Sequence, residues 1–281
     1  MTPPPPPDEQ DSSRLLLAIA ISLAILLGFH FMYEKPRQEK MLQAQRAAAL
    51  TPTTAAGSAT ENKPLKPRQE AIAATQRVPI HSGELSGSLS LVGAKIDDLL
   101  LNEHYATIEK KERVARLSPP NTKDAYYVES GWTSDDKSLR LPDSETVWSL
   151  APGSAAVLAP GNTVSMQWNN GQGLLFTRKI ELDDNYLFTI TQEITNRTSS
   201  EKKFNAWHLI SRHNLPEDFK GFFILHEGPL GFLDGKLRDP QYKDLVKGEK
   251  VEIENTHGWL GITDKYWFVG ILPNPQEQFD A

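Results

Sequence analysis

Adjacent carboxylates are the first places in this chain where chemistry could be done. They occur at Asp97-Asp98, Asp135-Asp136, Asp183-Asp184 and Glu217-Asp218. Two carboxylates converging on one bond could serve as general acid and base. On a strand, however, neighbouring side chains leave by opposite faces, so an adjacent pair cannot converge on one substrate by itself. Asp135-Asp136 and Asp183-Asp184 also lie in turn-like sequence, where Asp accepts local hydrogen bonds. All these pairs read as structural. The histidines are His30, His81, His104, His208, His213, His226 and His257. None sits in an HExxH arrangement, and no close set supplies three metal ligands. His208 and His213 would fall on opposite faces of a regular strand. The chain has no cysteine, which removes thiol nucleophiles, thiolate zinc sites and disulfides but suits oxidising and reducing compartments alike. There is no GxSxG elbow, P-loop or GxGxxG, and GEKVEIENTHGWLG at 248–261 matches no phosphate cradle. No metal, cofactor or catalytic set is expected, and the chain reads as a non-enzyme.

Six tryptophans remain: Trp132, Trp148, Trp168, Trp207, Trp259 and Trp267. An aromatic platform could stack on sugars or hold apolar segments of another protein. Most of these tryptophans alternate with other apolar residues, which suits filling the gap between two sheets, with a surface subset left open. The formal charge of −6, with 23% charged residues, argues against a nucleic-acid binder that works by neutralising phosphates.

These residues need elements to hold them. Residues 15–32 read LLLAIAISLAILLGFHFM, without charge or proline. As a helix they would span roughly 27 Å, close to the hydrocarbon thickness of a bilayer. Ser22 and His30 are the only polar side chains, so the helix would have no wet face. One transmembrane anchor over 14–33 is expected. A cleaved signal peptide fits less well, because the run is long and bulky or charged residues follow it. The flank before it offers Arg14 among Asp8, Glu9 and Asp11, whereas Lys35, Arg37, Lys40 and Arg46 follow. That count places the second flank in the cytoplasm. Residues 1–13, with five consecutive prolines, read as a disordered tail. Residues 34–79 read as a linker: 34–49 could extend the helix for a few turns, 50–79 are rich in Pro, Thr, Ala, Lys and Gln, and if flexible throughout the stretch would reach roughly 35–40 Å.

From Ile80 to Ala281 the texture is short alternating runs separated by turn residues. Leu85, Leu89 and Leu91 alternate with small residues. Ala125 to Val128 and Gly131-Trp132 read as two short strands. Val164, Met166 and Trp168 lead through Asn169-Asn170-Gly171-Gln172-Gly173 into a return strand over 174–182. Tyr186, Phe188, Ile190 and Ile194 share one face of the next strand. Residues 239–254 are charged and fit a short helix or a loop. An all-β, antiparallel sandwich follows.

The last stretch is the most specific. HGWLGITDKYWFVGILP at 257–273 carries Gly258-Trp259, then Asp264-Lys265-Tyr266-Trp267, then an apolar run ending in Pro273. It resembles the end of the periplasmic domain of the YidC membrane-protein insertases. GSLSLVGAKIDDLLL at 87–101 and HEGPLGFLDGKL at 226–237 are similar to other segments of that family. The resemblance implies a galactose-mutarotase-like β-supersandwich in the periplasm, an inner-membrane anchor and a cytoplasmic N-terminus, against the basic-residue count. It implies a role in inserting and folding membrane proteins, with the Sec translocon and nascent clients as partners. The motif residues are expected to be structural. Members of the family continue into five further transmembrane helices forming a hydrophilic groove, so this sequence is expected to be a fragment, a truncated frame or one part of a split protein. An anchored sugar-binding or mutarotase-type protein and an anchored periplasmic chaperone are the other readings, although fold alone is a weak warrant for the former.

Overall fold

The computed structural model describes residues 64–281 except 107, 110, 217–218 and 220–224. The tail 1–13, the apolar run 15–32 with His30, linker residues 34–63 and the Glu217-Asp218 pair lie outside the described residues. Among those described, no helix is long and apolar enough to cross a membrane.

The described chain starts with a short helix, α1 (Arg68–Ala73), inside the stretch whose composition reads as linker. Then follow β1 (Arg77–His81), β2 (Leu85–Ser90), β3 (Ile96–Tyr105), β4 (Arg113–Leu117) and β5 (Tyr126–Thr133). A second group comprises β6 (Ser149–Leu150), β7 (Thr163–Asn169), β8 (Leu174–Leu182) and β9 (Phe188–Asn196), before β10 (Asn205–Arg212). The last group is β11 (Gly228–Leu233), β12 (Lys236–Arg238), the single-turn helix α2 (Tyr242–Leu245), β13 (Gly258–Asp264) and β14 (Trp267–Ile271). All the ladders pairing these strands are antiparallel and form three sheets. The first has the order β1-β2-β3-β5-β10 with β4 on β3; the second is β6-β7-β8-β9; the third is β12-β11-β13-β14.

Alternation explains how the first two sheets meet. Val78, Ile80, Leu85, Leu89 and Trp132 of the first sheet share one apolar cluster with Val164, Met166, Leu174, Phe176 and Ile180 of the second. Each fully buried aliphatic or aromatic side chain of this kind contributes roughly 1.5–3 kcal/mol. The β7–β8 hairpin turns where its glycines allow it, with Gly171 and Gly173 at φ 74° and 87°. Asn170 fixes that turn by accepting the backbone N–H groups of Gln172 and Leu174. The register sets Trp168 opposite Phe176.

Two local expectations change. The two short strands expected over 125–132 are one: β5 runs unbroken, paired with β10 along its whole length, and the indole of Trp207 on β10 fills the place a Cβ of Gly131 would take. Tyr186 does not join the face of Phe188 and Ile190. It precedes β9, is exposed, and donates its hydroxyl to Glu84.

A cation lies at the centre of the sandwich. Arg178 falls on the inward phase of β8 between Phe176 and Ile180 and is 1% exposed. Its guanidinium donates to the carbonyls of Gly93 (3.1 Å), Ala94 (2.8 Å) and Ser130 (2.5 Å), so it ties the second sheet to the first. The rings of Trp132 and Trp148 lie 5.6 Å and 5.1 Å from the guanidinium carbon. Burial draws Arg178 down to about 10, which leaves it charged at neutral pH.

Candidate functional site

The 258–273 motif builds the β13–β14 hairpin of the third sheet, and its residues divide by the face they occupy. Gly258 has φ 132°, and a Cβ there would overlap the carbonyl of Phe232 on the paired strand. Asp264 ends β13 pointing inward. One Arg212 nitrogen donates to both of its oxygens at 2.6 Å, and Arg116 lies 3.3 Å away. Arg212 in turn stacks 4.6 Å from the Tyr126 ring. Burial alone would lower Arg212, but the hydrogen bond and charge of Asp264 raise it. Burial pushes the Tyr126 hydroxyl up, with the negative charge of Asp264 adding to the effect, and Tyr242 of α2 rises to about 12 for the same leading reason. Trp267 also faces inward, meeting His104 edge-on at 4.6 Å and packing against the main core. Lys265, at φ 27°, turns the hairpin, and Tyr266 stands at its tip 82% exposed. Pro273 lies just past β14, half-buried.

Trp259 faces the other way. It stands opposite Phe232 on β11, which stands opposite Leu237 on β12. The ring of Phe268 lies over Gly261 and Gly270, where any Cβ would collide with it, and meets Trp259 edge-on at 5.3 Å. The third sheet therefore presents an apolar row outward while Ile262, Trp267 and Val269 pack against the core. Of the six tryptophans, Trp132 and Trp148 are buried, Trp168 and Trp267 pack on the core half-buried, and Trp207 and Trp259 lie on outer faces.

Asp97 and Asp98 do converge, contrary to simple alternation. Gly87 pairs with Leu99 but Leu89 pairs with Ile96, so two residues of β3 oppose Ser88 alone. Such a bulge turns both carboxylates toward one side. Arg77 pairs with Asp97 and donates to Ser88, Ser88 donates to Asp98 at 2.6 Å, and Arg68 of α1 pairs with Asp98. Burial raises Asp97, and the charge of Arg77 opposes it. Beside this network lies a cavity of about 270 Å³, lined in part by Ala71, Ala74, Arg77, Lys95 and Asp97.

What can these groups do? Asp97, Asp98, Glu129 and Asp264 each face a cation, Glu129 having Lys95 at 3.9 Å. A carboxylate committed to an ion pair within the fold braces strands and is a poor proton shuttle. Burial raises Glu129 and lowers His208, but His208 stands opposite Ser130, one position from Glu129, so the two side chains leave by opposite faces of the sheet. Among the described residues no group of three His, Asp or Glu could hold a metal ion. Asp135, Asp136, Asp183 and Asp184 lie in connecting segments, where Asp136 and Asp183 accept local backbone N–H groups. The arginines are what sequence reasoning passed over. Arg178 alone carries a visible signal, a charge on the apolar phase of a strand.

The comparisons with known proteins point one way. The family model described as the YidC periplasmic domain matches residues 77–281. The membrane protein insertase YidC of Nitrobacter hamburgensis is 40% identical over 277 residues, covering 95% of this chain and 45% of that protein. The protein of the same name from Bradyrhizobium diazoefficiens is 36% identical over 95% of this chain and 47% of its own length. That from Jannaschia sp. is 33% identical over 94% and 46%. The chain thus spans about half the length of the curated relatives it matches.

Proposed function

This chain belongs to the YidC family, and from that membership we propose that it is the anchor and periplasmic docking domain of a bacterial inner-membrane protein insertase. The observation that carries the reading is the periplasmic-domain match over 77–281, joined to relatives named as membrane protein insertases. In this reading residues 14–33 form a single span with the N-terminus in the cytoplasm, and the linker between that span and β1 tethers the domain. The three sheets are a galactose-mutarotase-like supersandwich, and the domain is a scaffold without catalysis. The buried carboxylates Asp97, Asp98, Glu129 and Asp264 support that role, since each of these is held by a cation. Gly258, Asp264 and Trp267 shape and fasten the hairpin; Trp259 and Tyr266 are displayed on it. The Sec translocon and nascent membrane proteins are the proposed partners. The relatives give no support to the sugar-binding alternative.

Protease added to spheroplasts tests the arrangement. A tag after Ala281 should be digested without lysing the cells, and full protection would overturn the orientation. Affinity purification from native membranes should bring down a translocon component. Recovery of the chain without one would remove the docking role.

A further inference from the structure

A charge buried away from water is costly unless an opposite charge or hydrogen bonds answer it. The cavity of about 270 Å³ beside α1 has two incompletely answered charges on its wall. Lys95 and Asp97 both line it and are 5% and 3% exposed. Lys95 donates one hydrogen bond, to the Ser144 carbonyl, and stands 3.9 Å from Glu129. Arg77 takes Oδ1 of Asp97, while Oδ2 has no hydrogen-bond partner among the described residues. The charge of Lys95 reaches Asp97, yet the two form no ion pair with each other. Arg77, on the same wall, is committed to Thr75, Ser88 and Asp97.

We propose that this cavity binds a small zwitterion of the amino-acid type, with its carboxylate on Lys95 and its ammonium on Asp97. Charge selects the class. An anion would meet Asp97 and Glu145 on the walls, and a cation would meet Lys66, Arg77 and Lys95. A neutral polyol would bond to both groups but bring no charge to either, and a hydrogen bond with an ionised group is roughly twice as strong as a neutral one. A guest carrying both charges meets each with its opposite. The size agrees, since at about 30 Å³ per water the cavity has room for several waters, the scale of an amino acid or dipeptide. The guest would also fasten α1. That helix buries no side chain, closes the cavity with Ala71 and Ala74, and is held by Arg68 on Asp98 and the Lys66 amide on the Asn121 carbonyl. Occupancy and the docking of α1 are therefore linked.

The full chain in mild detergent is titrated with glycylglycine while amide hydrogen exchange is followed in α1. At about ten times its dissociation constant the dipeptide should slow exchange at Ala71 and Ala74 about tenfold, saturably. N-Acetylglycine keeps only the carboxylate, glycinamide keeps only the ammonium, and glycerol has neither. Each should bind at least about tenfold more weakly than glycylglycine, since each forgoes one or both charged contacts. Asp97→Asn should abolish the preference for glycylglycine over N-acetylglycine, and Lys95→Met the preference over glycinamide. No saturable slowing below about 100 mM glycylglycine would overturn the proposal. So would N-acetylglycine, glycinamide or glycerol acting as strongly as the dipeptide, or either preference surviving in a folded variant. The comparison of the four compounds on the unaltered chain decides the matter even where a variant fails to fold.

Discussion

Replacing Arg178 measures what joins the two large sheets. Arg178→Ala removes donors from the carbonyls of Gly93, Ala94 and Ser130. An unsatisfied buried polar group costs about 1–3 kcal/mol, so the gross loss is about 3–9 kcal/mol. Against this stands the desolvation of a cation, several kcal/mol, which the variant no longer bears. Truncation also leaves a void beside Trp132 and Trp148, which at about 24 cal/mol per Å³ adds about 2 kcal/mol for a side chain of this size. The net expectation is a loss of about 4–5 kcal/mol for alanine, a large share of the stability of an ordinary domain. Arg178→Met fills the space and keeps contact with both indoles, so it should lose only about 2–3 kcal/mol through the orphaned carbonyls. Urea unfolding of the full chain in mild detergent, followed by tryptophan fluorescence, resolves these values because Trp132 and Trp148 flank the guanidinium. A methionine variant as stable as the parent would refute the reasoning, since the carbonyl contacts would then contribute nothing net.

Three further outcomes are expected. Asp97 has its folded pKa raised by burial, so the folded state holds the proton more tightly than the unfolded chain and stability declines as pH rises through the window above 3.8. Asp97→Asn should flatten that decline in urea midpoints taken between pH 4 and 7, and an unchanged slope would assign it elsewhere. Gly258→Ala meets both a positive φ and the Phe232 carbonyl, so it should cost about 2–3 kcal/mol and lower the melting temperature by about 6–10 °C, read by calorimetry. Arg68→Ala removes the pair with Asp98, and the amides of Ala71 and Ala74 should exchange about tenfold faster while those of β8 do not change.

The sequence made the strands legible wherever one face is wet and the other dry. The β7–β8 hairpin shows this best, because its apolar phase and its turn residues agree. Three features broke the rule for physical reasons. Asp97 and Asp98 meet because a bulge inserts a residue into β3, and alternation counts assume an unbroken register. The segment reads as two short strands, yet it is one strand on which an indole 76 residues later in the chain lies over Gly131, a contact no local window contains. The helix α1 lacks any buried side chain, and its hold on the domain comes from arginine and backbone contacts that composition cannot reveal. The candidate surface was half visible: the motif named Trp259 and Tyr266, but the face they share with Leu237 and Phe268 depends on pairing between strands.

The docking of α1 has a mechanical consequence. Traction along the segment before Pro64 does not reach the edge strand β1 first. It meets the Lys66 amide on the Asn121 carbonyl and the Arg68–Asp98 pair, two fasteners set ahead of the β1–β2 ladder. These can yield and reseat without a strand leaving its sheet. Residues 64–75 would then act as a shock absorber, lending slack under load and taking it back at rest, up to Gln76, whose carbonyl accepts the Leu91 amide.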